Sequence, residues 1–147
     1  MGIETSINHL LMYWESQGIG IIPASPEEIT LQDIILPLDF EFLYSAANGM
    51  NQYYPNEMDI EGFLFYPVQE LVLAKCKFRG SSLRNRENIV VFAEYLHESW
   101  WYGFEKIRSN EYIIGIIPDQ ETFKPITPSL AEFIEMYIAD SRELYTY

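Results

Sequence analysis

Apolar residues recur at helical spacing at both ends of the chain, and β-branched and aromatic runs bounded by turn residues fill its middle. Ile3, Ile7, Leu10, Leu11 and Trp14 fall on one helical stripe, which predicts an amphipathic helix stopped by Gly18 and Gly20. Ser25-Pro26-Glu27-Glu28 reads as a helix start, with Ser25 as N-cap, Pro26 at the first helical position and Glu28 closing a capping box. Pro37 interrupts that segment, because the residue before a proline avoids the helical region. A second helix follows, with Leu36, Phe40, Leu43, Tyr44 and Ala47 on one face and Asn48-Gly49 as its stop.

Residues 50–61 form a loop rich in Tyr, Asn and acid. Residues 62–66 read as a first strand ended by Pro67, and residues 68–75 as a short helix. Residues 75–86 are polar, contain Gly80-Ser81-Ser82 and read as a mobile loop. Three strands are then expected: residues 89–95, residues 100–107 with Gly103 as a bulge, and residues 112–117. Their short connections imply consecutive antiparallel hairpins. Leu130, Phe133, Ile134, Tyr137 and Ile138 define a final helix, capped either by Thr127 ahead of Pro128 or by Ser129 paired with Glu132. The expected architecture is a single α+β domain over residues 1–147. It has an antiparallel-rich meander sheet, with N-terminal helices and a C-terminal helix packed on one face.

Composition narrows the function. The chain has 147 residues and a formal net charge of −13. That charge argues against direct nucleic-acid binding, which needs clustered Lys and Arg, and against an anionic membrane surface. It suits a basic protein partner. Lys75, Lys77, Arg79, Arg84 and Arg86 are five of the nine basic residues, and residues 75–86 contain no acid. The rest of the chain therefore carries 22 acids against four bases. The basic stretch reads either as a solvated connection or as one pole of a polarised molecule. Eleven Tyr and three Trp exceed what a core of this size needs, and such residues are favoured at interfaces. Cys76 has no partner cysteine, residues 1–16 lack a secretory pattern, and no apolar run is long enough to span a bilayer; a soluble cytoplasmic protein is expected.

Four segments in order resemble the SUKH superfamily, which includes a yeast cell-wall assembly regulator and many bacterial immunity proteins. They are Leu36-Pro37-Leu38-Asp39-Phe40 running to Asn48-Gly49; Gly62-Phe63-Leu64-Phe65-Tyr66-Pro67-Val68-Gln69-Glu70-Leu71; Ile89-Val90-Val91-Phe92-Ala93; and Ser129-Leu130-Ala131-Glu132-Phe133-Ile134. The segment after Ala93, Glu94-Tyr95-Leu96-His97-Glu98, departs from the acidic-Gly turn common in that family. The resemblance implies a non-enzymatic domain that binds and neutralises a toxin, often a nuclease or deaminase.

The residues themselves select no catalytic set. His9 and His97 are far apart in sequence and have no metal-ligand spacing around them; no catalytic residue, metal or cofactor is expected. Cys76 lies among Lys75, Lys77 and Arg79, which would favour a thiolate, but an incidental helix-end cysteine explains it as well. Asn56, Glu57, Asp59 and Glu61 do not match a calcium loop and read as a solvated acidic stretch. The expected partner surface is Tyr53, Tyr54, Glu57, Asp59, Glu61, Glu94, Glu98, Trp100 and Trp101, aromatic anchors beside carboxylates that would pair with a basic toxin. Strand alternation allows at most one of Trp100 and Trp101 on the outer face. Three readings stand: an immunity protein bound to one cognate toxin, a regulatory or scaffold interaction domain, and an enzyme or small-ligand binder with a cleft beside the sheet. A monomer or a weak homodimer fits each.

Overall fold

The computed structural model describes residues 2–50 and 58–146. Among these residues, helices and one sheet build the core. Helix α1 (Ile3–Ser16) buries Ile7, Leu10 and Trp14, the centre of its predicted stripe, and the chain leaves it through Gly18 at φ +75°. Helix α2 (Pro26–Thr30) carries the expected capping box: Ser25 Oγ accepts from Glu28 N at 3.1 Å, and Ser25 N donates to Glu28 Oε1 at 2.9 Å. Helix α3 (Leu38–Ala46) follows Pro37 and buries Phe40, Leu43 and Tyr44. Helix α5 (Leu130–Ile138) is capped by Ser129, whose hydroxyl accepts from Glu132 N at 3.1 Å, so Ser129 rather than Thr127 begins it.

Among the described residues the sheet has six strands, β1 (Phe63–Phe65), β2 (Val72–Leu73), β3 (Ile89–Tyr95), β4 (Trp100–Arg108), β5 (Glu111–Ile117) and β6 (Lys124–Thr127), and their pairings are antiparallel. Its order is β1-β3-β4-β5-β6, with β2 beside β1 along the same edge of β3. The three hairpin strands stand within one residue of the bounds expected from their β-branched and aromatic runs. Every residue of β3 is buried, as a central strand covered on both faces requires.

Three local expectations are corrected. Residues 68–75 are not one helix. A 3-10 turn (Val68–Glu70) leads into β2, and helix α4 (Ala74–Lys77) follows. Val72 and Leu73 pair with Val91 and Val90, so a ladder along β3 outcompetes local helix formation. The bulge lies on β3, not at Gly103: Val91 faces Gly103 and Ala93 faces Tyr102, which leaves Phe92 as the extra residue. Strand β6 was not anticipated, because four residues containing Pro125 and Lys124 carry no strand signature.

Helices α1, α3 and α5 cover one face. Phe40 packs on Phe92 and Phe104, Phe133 on Phe65, Phe92 and Tyr102, and Trp14 on Phe65. The other face is covered as well, by α4 and residues 78–88. Phe78 and Leu83 are buried, Asn85 Nδ2 donates to Glu105 Oε2 at 2.9 Å, and Ser81 Oγ donates to Gln120 O at 2.6 Å. The basic stretch expected to be mobile is thus pinned across the sheet.

Candidate functional site

One end of the sheet gathers most of the residues that the sequence singled out. There the β3–β4 turn, residues 96–99, meets the turn that leads into β1, residues 59–62. Leu96 N donates to Gly62 O at 2.9 Å, and Gly62 N to Asp59 O at 3.1 Å. Leu96, His97 and Glu98 are three successive non-glycine residues at φ +44°, +52° and +66°. Each left-handed residue of this kind costs roughly 1 kcal/mol or more, so the surrounding contacts hold the turn in a set shape. The two turns present apolar side chains to solvent: Ile60 is 83% exposed and Leu96 46%. Glu61 and Glu98 are exposed beside them.

Asp59 belongs to the foundation of this end. Its carboxylate is buried; Oδ1 accepts from Gly62 N at 2.8 Å and Phe63 N at 2.9 Å, and Oδ2 accepts from the Tyr137 hydroxyl. Tyr137 in turn accepts from Trp14 Nε1 at 3.0 Å. Burial pushes the Asp59 carboxyl above its ordinary range and the Tyr137 phenol well above its own. This chain of bonds ties α1 and α5 to the entrance of β1.

On the outer face, a second cluster adjoins the β3–β4 turn. Glu94 and Trp101 are register partners on β3 and β4. Tyr66, just past β1, donates its hydroxyl to Glu94 Oε1 at 2.8 Å. Trp101 packs edge-on against Phe78, with centroids 4.7 Å apart. Lys77, the last residue of α4, donates to Glu98 Oε1 at 2.8 Å, and Trp101 Nε1 donates to the same oxygen at 3.4 Å. The Lys77 ammonium lies 5.6 Å from the Tyr66 ring centroid and 6.0 Å from that of Trp101, within cation–π range. The two carboxyls are driven apart: burial raises Glu94 above its ordinary value, whereas the bond from Lys77 lowers Glu98.

Glu94 has a consequence for stability. A carboxyl whose value is raised by folding holds its proton more tightly folded than unfolded. Its contribution is complete below the unfolded value near 4.5 and is lost as pH rises through the higher folded value. Tyr66, Lys77 and Glu98 face it throughout. Glu94→Gln keeps an acceptor for Tyr66, so its melting temperature is expected to equal or exceed that of the unaltered chain at pH 7. The difference should shrink toward pH 4, where Glu94 carries its own proton. Melting curves at the two pH values decide this; a variant that is clearly less stable at pH 7 would show that the charge itself is needed.

Of the nine residues expected at a partner surface, Tyr53, Tyr54 and Glu57 lie outside the described residues. Glu61 and Glu98 are exposed. Asp59 and Trp100 are corrected to interior roles: Asp59 through the bonds above, Trp100 because it stacks on Tyr95 at 4.6 Å and donates to the Tyr102 hydroxyl at 2.9 Å. Trp101 and Glu94 are on the opposite face, as alternation required, but stand as largely buried walls of the outer cluster. Sequence reasoning missed Ile60, Leu96, Tyr66 and Lys77. For Tyr66 a signal existed: it alternates away from Phe63 and Phe65, which face the helices.

Elsewhere, His9 Nδ1 pairs with Glu135 Oε2 at 2.9 Å at the surface, and Cys76 is exposed on α4. Among the described residues, no group of three His, Cys, Asp or Glu side chains is placed to hold a metal ion, and no helix is long and apolar enough to cross a membrane. A groove of about 440 Å³ lies at the opposite end of the sheet, lined in part by Ile34, Ile35, Leu73, Val90 and Ile107. Compared with known proteins, the chain matches no family model, no curated protein and no solved structure.

Proposed function

We propose that this chain is a non-catalytic protein-binding domain of the SUKH type. In this reading it is an immunity protein that binds one basic toxin, of nuclease or deaminase type, at 1:1 in the cytoplasm. The observation that carries the reading is the pair of turns at residues 59–62 and 96–99. Exposed Ile60 and Leu96 are held there in a shape set by three left-handed residues and are flanked by Glu61 and Glu98. Apolar anchors ringed by like charge are what a basic partner's recognition requires: the anchors supply affinity, and the carboxylates steer association and reject acidic proteins. The net charge of −13 extends that steering over the whole molecule.

The chain acts as a monomer in this reading. The outer edge of β1 is occupied, since Met50 N donates to Phe65 O and Asp59 N to Phe63 O. The β6 edge is blunted by Pro125 and Lys124, which disfavour pairing with a second sheet.

The test is capture by the tagged chain from its native host at low and high salt, with mass identification and stoichiometry. One basic protein at 1:1, held less tightly as salt rises, is expected. Leu96→Asp should weaken that capture roughly 30-fold or more, as the loss of a central apolar anchor does. No retained protein, or retention indifferent to both salt and Leu96→Asp, would overturn the reading.

A further inference from the structure

We infer that Tyr66, Glu94, Glu98 and Trp101 form a binding cage for one guanidinium group, and that Lys77 of the same chain occupies it as an exchangeable stand-in. The inference deepens the proposed function and rests on it, because it assigns the cage to an arginine of the basic partner.

The walls of the cage are set by the sheet. Tyr66 is 3% exposed, Trp101 7% and Glu94 9%; two of the three lie on paired strands, and Tyr66 is bonded to β3 through its N–H to Phe92 O. The cation and Glu98 are the accessible parts. Lys77 keeps 21% of its side chain in solvent, Glu98 keeps 49%, and Lys77 reaches the cage on a flexible stem from the end of a four-residue helix. The site therefore opens outward, beside the β3–β4 turn that carries Leu96.

The occupant satisfies the cage only in part. An ammonium is a point charge, and here it bonds one carboxylate oxygen, on Glu98. It interacts with Glu94 through charge alone and stands near the outer limit of cation–π distance from both rings. A guanidinium is planar, carries five donors in a fork and stacks on aromatic faces. It can offer separate N–H groups to both carboxylates while its flat face lies against Trp101, whereas the ammonium in place bonds Glu98 alone of the two. Two carboxylates and two rings around a single cation are thus better matched to arginine than to the residue now present. Lys77 pairs with Glu98 alone of the two carboxylates, so the free protein's own chain offsets one of them. The cage becomes available when a partner's arginine displaces that lysine.

The experiment is a titration of the purified chain with methylguanidinium chloride. It is followed by the Trp101 indole N–H resonance, with sodium chloride at matched ionic strength as the control. Lys77→Met keeps the aliphatic stem and removes the competing charge. It is expected to bind methylguanidinium saturably and roughly tenfold more tightly than the unaltered chain, the scale of one lost competing ion contact. Adding Glu98→Gln to Lys77→Met should abolish the gain. A folded Lys77→Met protein whose indole shift is no larger than in sodium chloride overturns the cage. Should Lys77→Met not fold, the unaltered chain decides. Displacement must move the Trp101 indole and Lys77 side-chain signals together, with one saturation curve, and a shift without saturation overturns the proposal. Failure here leaves capture through Leu96 standing, whereas absence of any captured protein removes the partner even if the cage takes methylguanidinium.

Discussion

Replacing Asp59 with alanine is expected to destabilise the fold by about 3–5 kcal/mol, although the residue lies in an acidic segment that looks solvated. The substitution strands two donors in the interior, Phe63 N and the Tyr137 hydroxyl, and leaves Gly62 N with only its longer bond to the backbone oxygen of residue 59. Each unsatisfied buried group costs roughly 1–3 kcal/mol, and the small gain from removing a desolvated carboxylate offsets part of the sum. In a chain of this size the melting temperature should fall by about 10–15 °C. Asp59→Asn retains an acceptor for the two backbone N–H groups and presents an amide to Tyr137, so its loss should be less than half as large. Thermal or urea unfolding of the two variants checks the ranking. If Asp59→Ala melts with the unaltered chain, the carboxylate does not tie α1 and α5 to β1 as the geometry states.

Gly49→Ala is the second large effect, expected at about 3–5 kcal/mol from a left-handed backbone and a steric clash together. Gly49 sits at φ +66°, and a Cβ there would lie 2.5 Å from both the carbonyl carbon and the oxygen of Tyr66 and 2.7 Å from Phe65 O. Those atoms are backbone on or next to β1, held by Met50 N to Phe65 O and Tyr66 N to Phe92 O, so they have no room to yield. Gly18 supplies the comparison. It has φ +75° with nothing within 4 Å, so Gly18→Ala should carry only the backbone term, about 1–2 kcal/mol. Unfolding curves of the two variants separate steric approach from backbone strain. Equal losses would mean that the chain at Gly49 can move away from β1.

That contrast also explains the Asn48-Gly49 pair. In the sequence it reads as a helix stop, yet α3 ends at Ala46 and its cap, Ala47, is extended at φ −155°. Asn48 instead bridges to the chain beyond β1: Oδ1 accepts from Val68 N at 2.7 Å, and Nδ2 donates to Gln69 Oε1 at 3.0 Å. The residues were legible as punctuation. What they join was not, because the partners are about twenty residues downstream.

The sequence by itself determined the elements whose signals are local. The α1 and α5 stripes, the Ser25 capping box, and the three hairpin strands follow from periodicity and neighbouring residues, since each depends on side chains within a few positions. The α+β class follows from their order. Tertiary structure decided whatever depends on distant partners. Strand β6 exists because β5 offers an edge, and β2 exists because β3 does. Asp59 turned inward because Tyr137, 78 residues away, meets it there. Glu94, Glu98 and Trp101 became neighbours through strand register, joined by Tyr66 and Lys77 from two other elements. Their residue types were visible along the chain, but their convergence is set by hydrogen-bonded pairing across the sheet, whose register no local pattern encodes.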